Sequence, residues 1–258
     1  MAHVWDADLY LRFSDERTRP SVDLAARVEI SDPARIIDLG CGPGNSTAVL
    51  QRRWPGARIT GLDNSPDMIA AASRSYPHIE WLIGDIAAWS AEAPFDVVFS
   101  NAALQWAPDH DPLIPRLFAQ VASGGALAVQ IPATFDSAPH REIFHTAADP
   151  SWRHLMGPAL SVFSKEPPSF YYDLLQPLSE RLEMWETEYY HIMESPQSII
   201  EWFRGTGLRP FLAALENEEQ KKRFEELLLE RFSLAYHRQK DGRILFPFRR
   251  LFIIAYKA

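Results

Sequence analysis

The chain has 258 residues, 47% of them hydrophobic, and 26 Lys and Arg against 34 Asp and Glu give a formal charge of -8. That length can bury a large core, and an acidic balance without a basic tract argues against nucleic acid as the main partner. The single cysteine, Cys41, excludes an intrachain disulfide and a multi-cysteine zinc site, so no metal is expected.

The first ten residues, MAHVWDADLY, carry early acidic side chains and no apolar core of signal-peptide length. No apolar stretch approaches a membrane span, so no membrane partner is expected and the cytoplasm is the expected location. The segment YLRFSDERTRPSVDLAARV that follows gathers Arg12, Arg17 and Arg19 near Tyr10 and Phe13. Residues 1–30 are read as an active-site cover, with a helix near 20–29.

A strand over 35–39 then runs into DLGCGPGNST, where Gly40, Gly42 and Gly44 alternate ahead of a helix over 45–53. Such a strand-to-helix turn exposes backbone N–H groups to a ligand. It is not a dinucleotide fingerprint, which places its third glycine where Asn45 stands, and the lysine of a phosphate-binding loop is missing. Cys41 reads as a small buried residue in this turn, not a nucleophile.

The second strand, 57–62, ends in Asp63 and Asn64, with Pro66 suited to the first turn of a helix over 66–74. Asp63 has two readings. It accepts from both ribose hydroxyls of a nucleoside, or it caps that helix. A strand over 80–84 leads to Asp85, an acceptor for an adenine amino group, with Ile86 to pack on the ring. A strand over 95–100 leads to Asn101 and the AAL that follows, whose backbone suits the amino-acid portion of a ligand. After a helix over 111–122, Ser123-Gly124-Gly125 reads as a break before a fifth strand, 125–131. Strands separated by helices imply a mainly parallel sheet covered on both faces, and open sheets of this type bind ligands at the carboxyl ends of their strands.

Beyond Pro132 the pattern changes. Residues 133–180 read as a helical cap inserted after strand five. A sixth strand over 182–190, helices over 196–204 and 216–237, and a final strand over 251–255 follow. The expectation is one α/β domain over 1–258, with no room for an independent second core. The eight Trp, eight Tyr and fifteen Phe concentrate after residue 135, as a lid or pocket wall over a small ligand would use them.

Taken together, the signals at four successive strand ends resemble those of class I S-adenosylmethionine-dependent methyltransferases over residues 30–132. The resemblance implies a Rossmann-like seven-stranded mixed sheet with helices on both faces and its last strand antiparallel. It also implies that S-adenosylmethionine is held by Gly40, Gly42, Gly44, Asp63, Asn64, Asp85, Ile86 and Asn101. The outer segments VWDADLYLRFSDERTRP, SNAALQW, WETEYYHIM, EWFRGTGLRPFL and FPFRRLF resemble tricarboxylate methyltransferases of that class. The implied reaction is O-methylation of one carboxylate of a small tricarboxylate, with release of S-adenosylhomocysteine.

A carboxylate is already ionised at neutral pH, so no base is needed and no essential catalytic side chain is expected. His140 therefore carries little weight. Arginines suit the carboxylates that do not react, with Arg19 and Arg249 ahead of Arg12, Arg141 and Arg250. Tyr10, Gln105 and Trp106 are candidates for orienting the reacting group, Trp106 being equally a core anchor. The alternative acceptors are another small carboxylic acid, a phenol or an amine. A monomer or weak homo-oligomer is expected.

Overall fold

A computed structural model describes residues 14–134, 137–160 and 166–258. Tyr10 and Arg12 lie outside the described residues, as does the part of the expected cover before residue 14. Helix α1 (Ser14–Arg27) has Asp15 and Glu16 in its first turn and Arg27 in its last, charges that suit the dipole at each end. It begins earlier than 20 because Pro20 lies inside it and does not open it.

Strand β1 (Arg35–Leu39) is buried at every position after Arg35, as a central parallel strand is when both its faces are covered. Helix α2 (Asn45–Arg53) and strand β2 (Arg58–Asp63) follow. Helix α3 (Pro66–Ser75) is capped by Ser65, whose hydroxyl accepts from the Met68 N–H, with Pro66 in the first turn. Then come β3 (Glu80–Ile83), β4 (Phe95–Asn101), a 3-10 turn (Leu104–Trp106), α4 (His110–Ala119) and β5 (Val121–Pro132). Ser123-Gly124-Gly125 does not break the chain before β5. It is a bulge inside the strand, with Gly124 at φ 75° and the pairing to β4 shifting register between Phe95 and Val97.

The remaining elements are α5 (Ala138–Ala147), a 3-10 turn (Arg153–Leu155), α6 (Gly157–Leu160), α7 (Pro168–Leu175), β6 (Arg181–Met193), α8 (Pro196–Arg204), α9 (Arg209–Ala214), α10 (Glu218–Ala235) and β7 (Ile244–Tyr256). None of the described helices is long and apolar enough to cross a membrane.

Seven strands form one sheet in the order β3-β2-β1-β4-β5-β7-β6. The pairs β1–β2, β1–β4, β2–β3 and β4–β5 are parallel. Strand β7 runs against them. Lys257 N–H donates to Gly125 while Ala133 N–H donates to Arg249, so numbers fall on one strand as they rise on its neighbour. Glu180 N–H donates to Tyr256, which pairs the start of β6 with the end of β7 and makes these two antiparallel as well. The sheet is thus the expected mixed one. Its strand order reverses between β2-β1 and β4, and such a switch point opens a crevice at the carboxyl ends of the strands.

The chain divides into two compact units. The first takes the described parts of Met1–Pro132, Ser164–Thr187 and Leu251–Ala258. The second takes those of Ala133–Phe163 and Glu188–Arg250. The cap read at 133–180 thus differs from the second unit, because α7 goes with the first unit while α8 to α10 go with the second. Nor is the second unit coreless. Trp202 lies 5.7 Å from Phe248, Phe203 5.9 Å from Phe246, and Trp152 5.5 Å from Phe224, ring separations typical of packed aromatic pairs. The aromatic residues counted in the sequence as a lid largely fill this core.

Candidate active site

The glycine turn is built by the end of β1 and read by the end of β2. Gly40, Gly42 and Gly44 take φ of 73°, 55° and 95°, a region that suits residues without a Cβ. At Gly40 the reason is also spatial: an added Cβ would stand 2.2 Å from Ala103 Cβ and 3.4 Å from Ile86 Cδ1. The turn therefore closes against the loops that follow β3 and β4.

The N–H groups of Gly40, Cys41, Gly42 and Gly44 are taken up within the protein instead of facing a ligand. Gly40 and Cys41 both donate to Leu62 O, at 2.7 and 3.1 Å, and Gly44 donates to Cys41 O. Gly42 donates to Asp63 Oδ2 at 2.9 Å. The amides tie the turn to β2, and the glycines serve close approach. An added Cβ on Gly42 would meet nothing within 4 Å, so open space lies over the turn at that residue.

Asp63 is half-buried, and its carboxyl is raised above the usual range by burial, against the lowering effect of N–H groups from Ser65, Gly42 and Asn64. Oδ1 accepts from Ser65 N at 2.9 Å. The helix cap is Ser65, which removes the capping role from Asp63. Each Asp63 oxygen keeps a lone pair for a further donor. Asn64 is exposed beside it.

Asp85 is exposed and accepts from Ala87 N at 2.8 Å. The loop it opens is held from α4 by Arg116, a residue without a signal in the sequence. Its guanidinium donates to Ile86 O at 2.9 Å, Ala87 O at 2.8 Å and Trp89 O. Ile86 is half-buried, with its Cδ1 close to Gly40.

After β4 the chain turns sharply at Ala102, a non-glycine with φ 54°. That conformation is fixed from two sides: Ala102 N–H donates to Gln130 O at 2.9 Å, and Gln105 Nε2 donates to Ala102 O at 2.7 Å. Asn101 Oδ1 and Gln105 Oε1 are buried and have no hydrogen-bond partner among the described residues. Two orphaned acceptors beside an open glycine turn suit a ligand that brings N–H donors. Trp106 is half-exposed, not a core anchor.

Asp38, also missed, is fully buried at the end of β1. Its Oδ2 accepts from Ser46 Oγ at 2.6 Å and Thr47 Oγ1 at 2.7 Å, pinning the first turn of α2, while Oδ1 has no partner among the described residues. Burial pushes the carboxyl up to about 6, outweighing the two hydroxyl bonds. The folded state therefore favours the protonated acid. Asp38 contributes stability below its ordinary value of 3.8, and that contribution is lost as pH rises through about 6. Asp38→Asn is expected to melt higher than the parent at pH 8, by an amount on the order of 3 kcal/mol at most, with the gap shrinking towards pH 4. Thermal melts across that range check this, and a gap independent of pH would refute it.

Burial raises the Cys41 thiol well above its usual range, in keeping with a packed, unreactive side chain. Among the candidate arginines, Arg19 of α1 is exposed, whereas Arg17 is buried. Asn45 Nδ2 lies 3.4 Å from Thr18 Oγ1 on the same helix. In the second unit Arg141 is exposed on α5. Arg249 is half-buried and aimed by a bond from its Nε to Ala133 O at 3.0 Å. Arg250 is buried with its guanidinium 4.6 Å from the Phe248 ring centre. His140 is buried 5.4 Å from the Phe203 ring, a packing position.

Comparison with known proteins places these features among methyl-transferring enzymes. A methyltransferase-domain family matches residues 36–125. The chain is 44% identical over 252 residues to a trans-aconitate 2-methyltransferase of Azoarcus sp. (strain BH72), across 98% of both chains. It is 45% identical over 254 residues to the enzyme of the same name from Rhodopseudomonas palustris (strain BisA53), across 98% of this chain and 99% of that one. Among solved structures, the YcgJ protein from Bacillus subtilis superposes with a TM-score of 0.63 at 15% identity, over 93% of this chain and 98% of that one. A Haemonchus contortus phosphoethanolamine N-methyltransferase 2 in complex with S-adenosyl-L-methionine matches at 0.56 and 14% identity, over 93% of this chain and 53% of that chain. These two likenesses show the fold alone.

Proposed function

The chain belongs to the trans-aconitate 2-methyltransferase family, and from that premise we infer that it O-methylates one carboxylate of trans-aconitate to give the monomethyl ester. The methyl donor is S-adenosylmethionine, which supplies a methyl group on a sulfonium centre reactive enough that the protein mainly aligns the nucleophile and excludes water. The observation that carries the reading is the constellation after β1, β2 and β4. An open glycine turn, a carboxylate with spare lone pairs and two orphaned carbonyl oxygens fit a ligand with a sugar diol and an ammonium group.

Each residue then has a defined task. Asp63 accepts from the ribose hydroxyls while its other contacts keep Gly42 and Ser65 in place. Asp85 and Ile86, on the loop braced by Arg116, bind adenine. Asn101 and Gln105 offer acceptors to the amino-acid portion. A carboxylate nucleophile needs no base, and neither His110 nor His140 is free to serve as one, each being buried in its own contacts.

The arginines bind the carboxylates that do not react. Arg249, with its Nε already anchored, loses less rotamer entropy than the exposed Arg19 and Arg141, so it stands ahead of them, with Arg250 as a further candidate. The reacting carboxylate must stay loosely held, because its charge is consumed as the ester forms and ground-state stabilisation would raise the barrier.

Loss of one charge-assisted contact costs about 1.5–3 kcal/mol, so Arg249→Ala is expected to raise the acceptor KM by roughly 10- to 100-fold. Cofactor affinity should stay within about threefold, since the contact is to the acceptor. Initial rates with varied trans-aconitate, read as S-adenosylhomocysteine released, measure this, and an unchanged KM removes Arg249 from the site. A panel of small acids, phenols and amines tests the acceptor itself. Methylation of another member without turnover of trans-aconitate would overturn the assignment.

A further inference from the structure

The turn after β4 is held from outside by a chain of two side chains that the reaction as described does not use. His110, the first residue of α4, is buried with its Nε2 2.8 Å from Leu104 O and its Nδ1 2.7 Å from Tyr171 Oη. A carbonyl only accepts, so Nε2 carries the proton, and Nδ1 in turn accepts from the tyrosine hydroxyl. Imidazole is the side chain that supplies one donor and one acceptor on opposite edges of a compact ring.

Tyr171 is itself buried on α7, and its ring centre lies 5.7 Å from that of His110. The sequence Tyr171 Oη–H to His110 to Leu104 O therefore links α7, α4 and the 3-10 turn Leu104–Trp106, all within the first unit. Leu104 O also accepts from Ala107 N at 2.9 Å, so the histidine adds a second bond to the carbonyl that closes the turn. The next two residues are Gln105, with its orphaned Oε1, and Trp106.

We propose that His110 and Tyr171 are positioning residues for the reaction, a buried relay that fixes the turn bearing Gln105 and Trp106 so that the acceptor meets an ordered wall. This rests on the reading of that turn as part of the active site. The relay touches neither substrate nor cofactor. It acts by holding the turn that follows the left-handed Ala102, adding to the bonds that Gln130 and Gln105 make at that alanine.

Tyr171→Phe tests it with little change in shape. Losing one buried hydrogen bond is expected to speed hydrogen exchange at Trp106 and Ala107 by about tenfold, leaving the amides of β1 unchanged. The acceptor KM should rise about fivefold to tenfold, and S-adenosylhomocysteine affinity should fall by less, about threefold, because Gln105 on the same turn meets the cofactor. His110→Gln, whose amide also offers one donor and one acceptor, should recover part of the loss seen in His110→Ala. Unchanged exchange at Trp106 and Ala107 overturns the proposal, as does an unchanged acceptor KM in an active parent enzyme. If the parent fails to methylate trans-aconitate, the assigned reaction falls, and the exchange measurement alone decides the relay.

Discussion

Gly40→Ala is expected to weaken S-adenosylhomocysteine binding by about a hundredfold or more, the joint result of a left-handed backbone and a steric overlap. With φ at 73°, any L side chain is strained there before it meets a neighbour. It then meets Ala103 Cβ at 2.2 Å, well inside contact distance, so either the glycine turn or the turn after β4 must move. Both turns line the proposed cofactor site, and neither can shift without loosening its bonds to Leu62 O or Gln130 O. Calorimetric titration with S-adenosylhomocysteine measures the loss. Adding Ala103→Gly should return part of it, because that removes the overlap and leaves the strained φ. A change below about threefold in the single variant would mean that the two turns do not form one wall of the site.

The second large effect is at Asp63. Asp63→Ala removes the acceptor for Gly42 N–H and Ser65 N–H together with the proposed contact to the ribose hydroxyls. Several lost bonds to one carboxylate sum to about 3 kcal/mol, or about a hundredfold in cofactor affinity. Asp63→Asn should do little better. Both carboxylate oxygens accept from backbone N–H groups, so an amide must point its own NH2 at one of them. The same titrations distinguish this from a general loss of fold if melts are run alongside. Retained affinity in the asparagine variant would show that one of the two backbone contacts is dispensable.

The first unit was largely legible in the sequence because its signals are local. The apolar run at 35–39, the alternate glycines and Ser65-Pro66 each announce an element boundary within a few residues, and β1 and α2 fall where the pattern puts them. Strand β7 begins at Ile244, seven residues before the apolar run at Leu251 announces it, because Pro247 and the pair Arg249-Arg250 do not read as strand. The structure tolerates them through alternation: Ile244, Phe246, Phe248 and Arg250 are buried while the residues between them are not. The second unit's core is hidden in the sequence for another reason. Its ring pairs join segments far apart, such as Trp152 with Phe224, and no periodicity within one segment reports that.

Site residues divide the same way. Asp63, Asp85 and Asn101 stand at strand ends and could be picked out by position. Asp38 left one trace, a lone acid closing an apolar strand with two hydroxyl residues eight and nine positions on. Arg116 and His110 left none, since their partners are carbonyls and a hydroxyl contributed by other elements. The direction of the glycine-turn amides was equally hidden, because it depends on where Leu62 O comes to rest.

The position of β7 between β5 and β6 governs the order in which the sheet can assemble. Strand β6 is made long before β7 during synthesis, yet β7 is its neighbour in the sheet. Until residues 244–256 arrive, the edge of β5 and the whole of β6 present unpaired backbone groups to the solvent. The pairs that close the sheet join residues as distant as Gly125 and Lys257, so loop closure must precede their formation. Slow refolding and a window of vulnerability to aggregation on a nascent chain follow directly from this strand order.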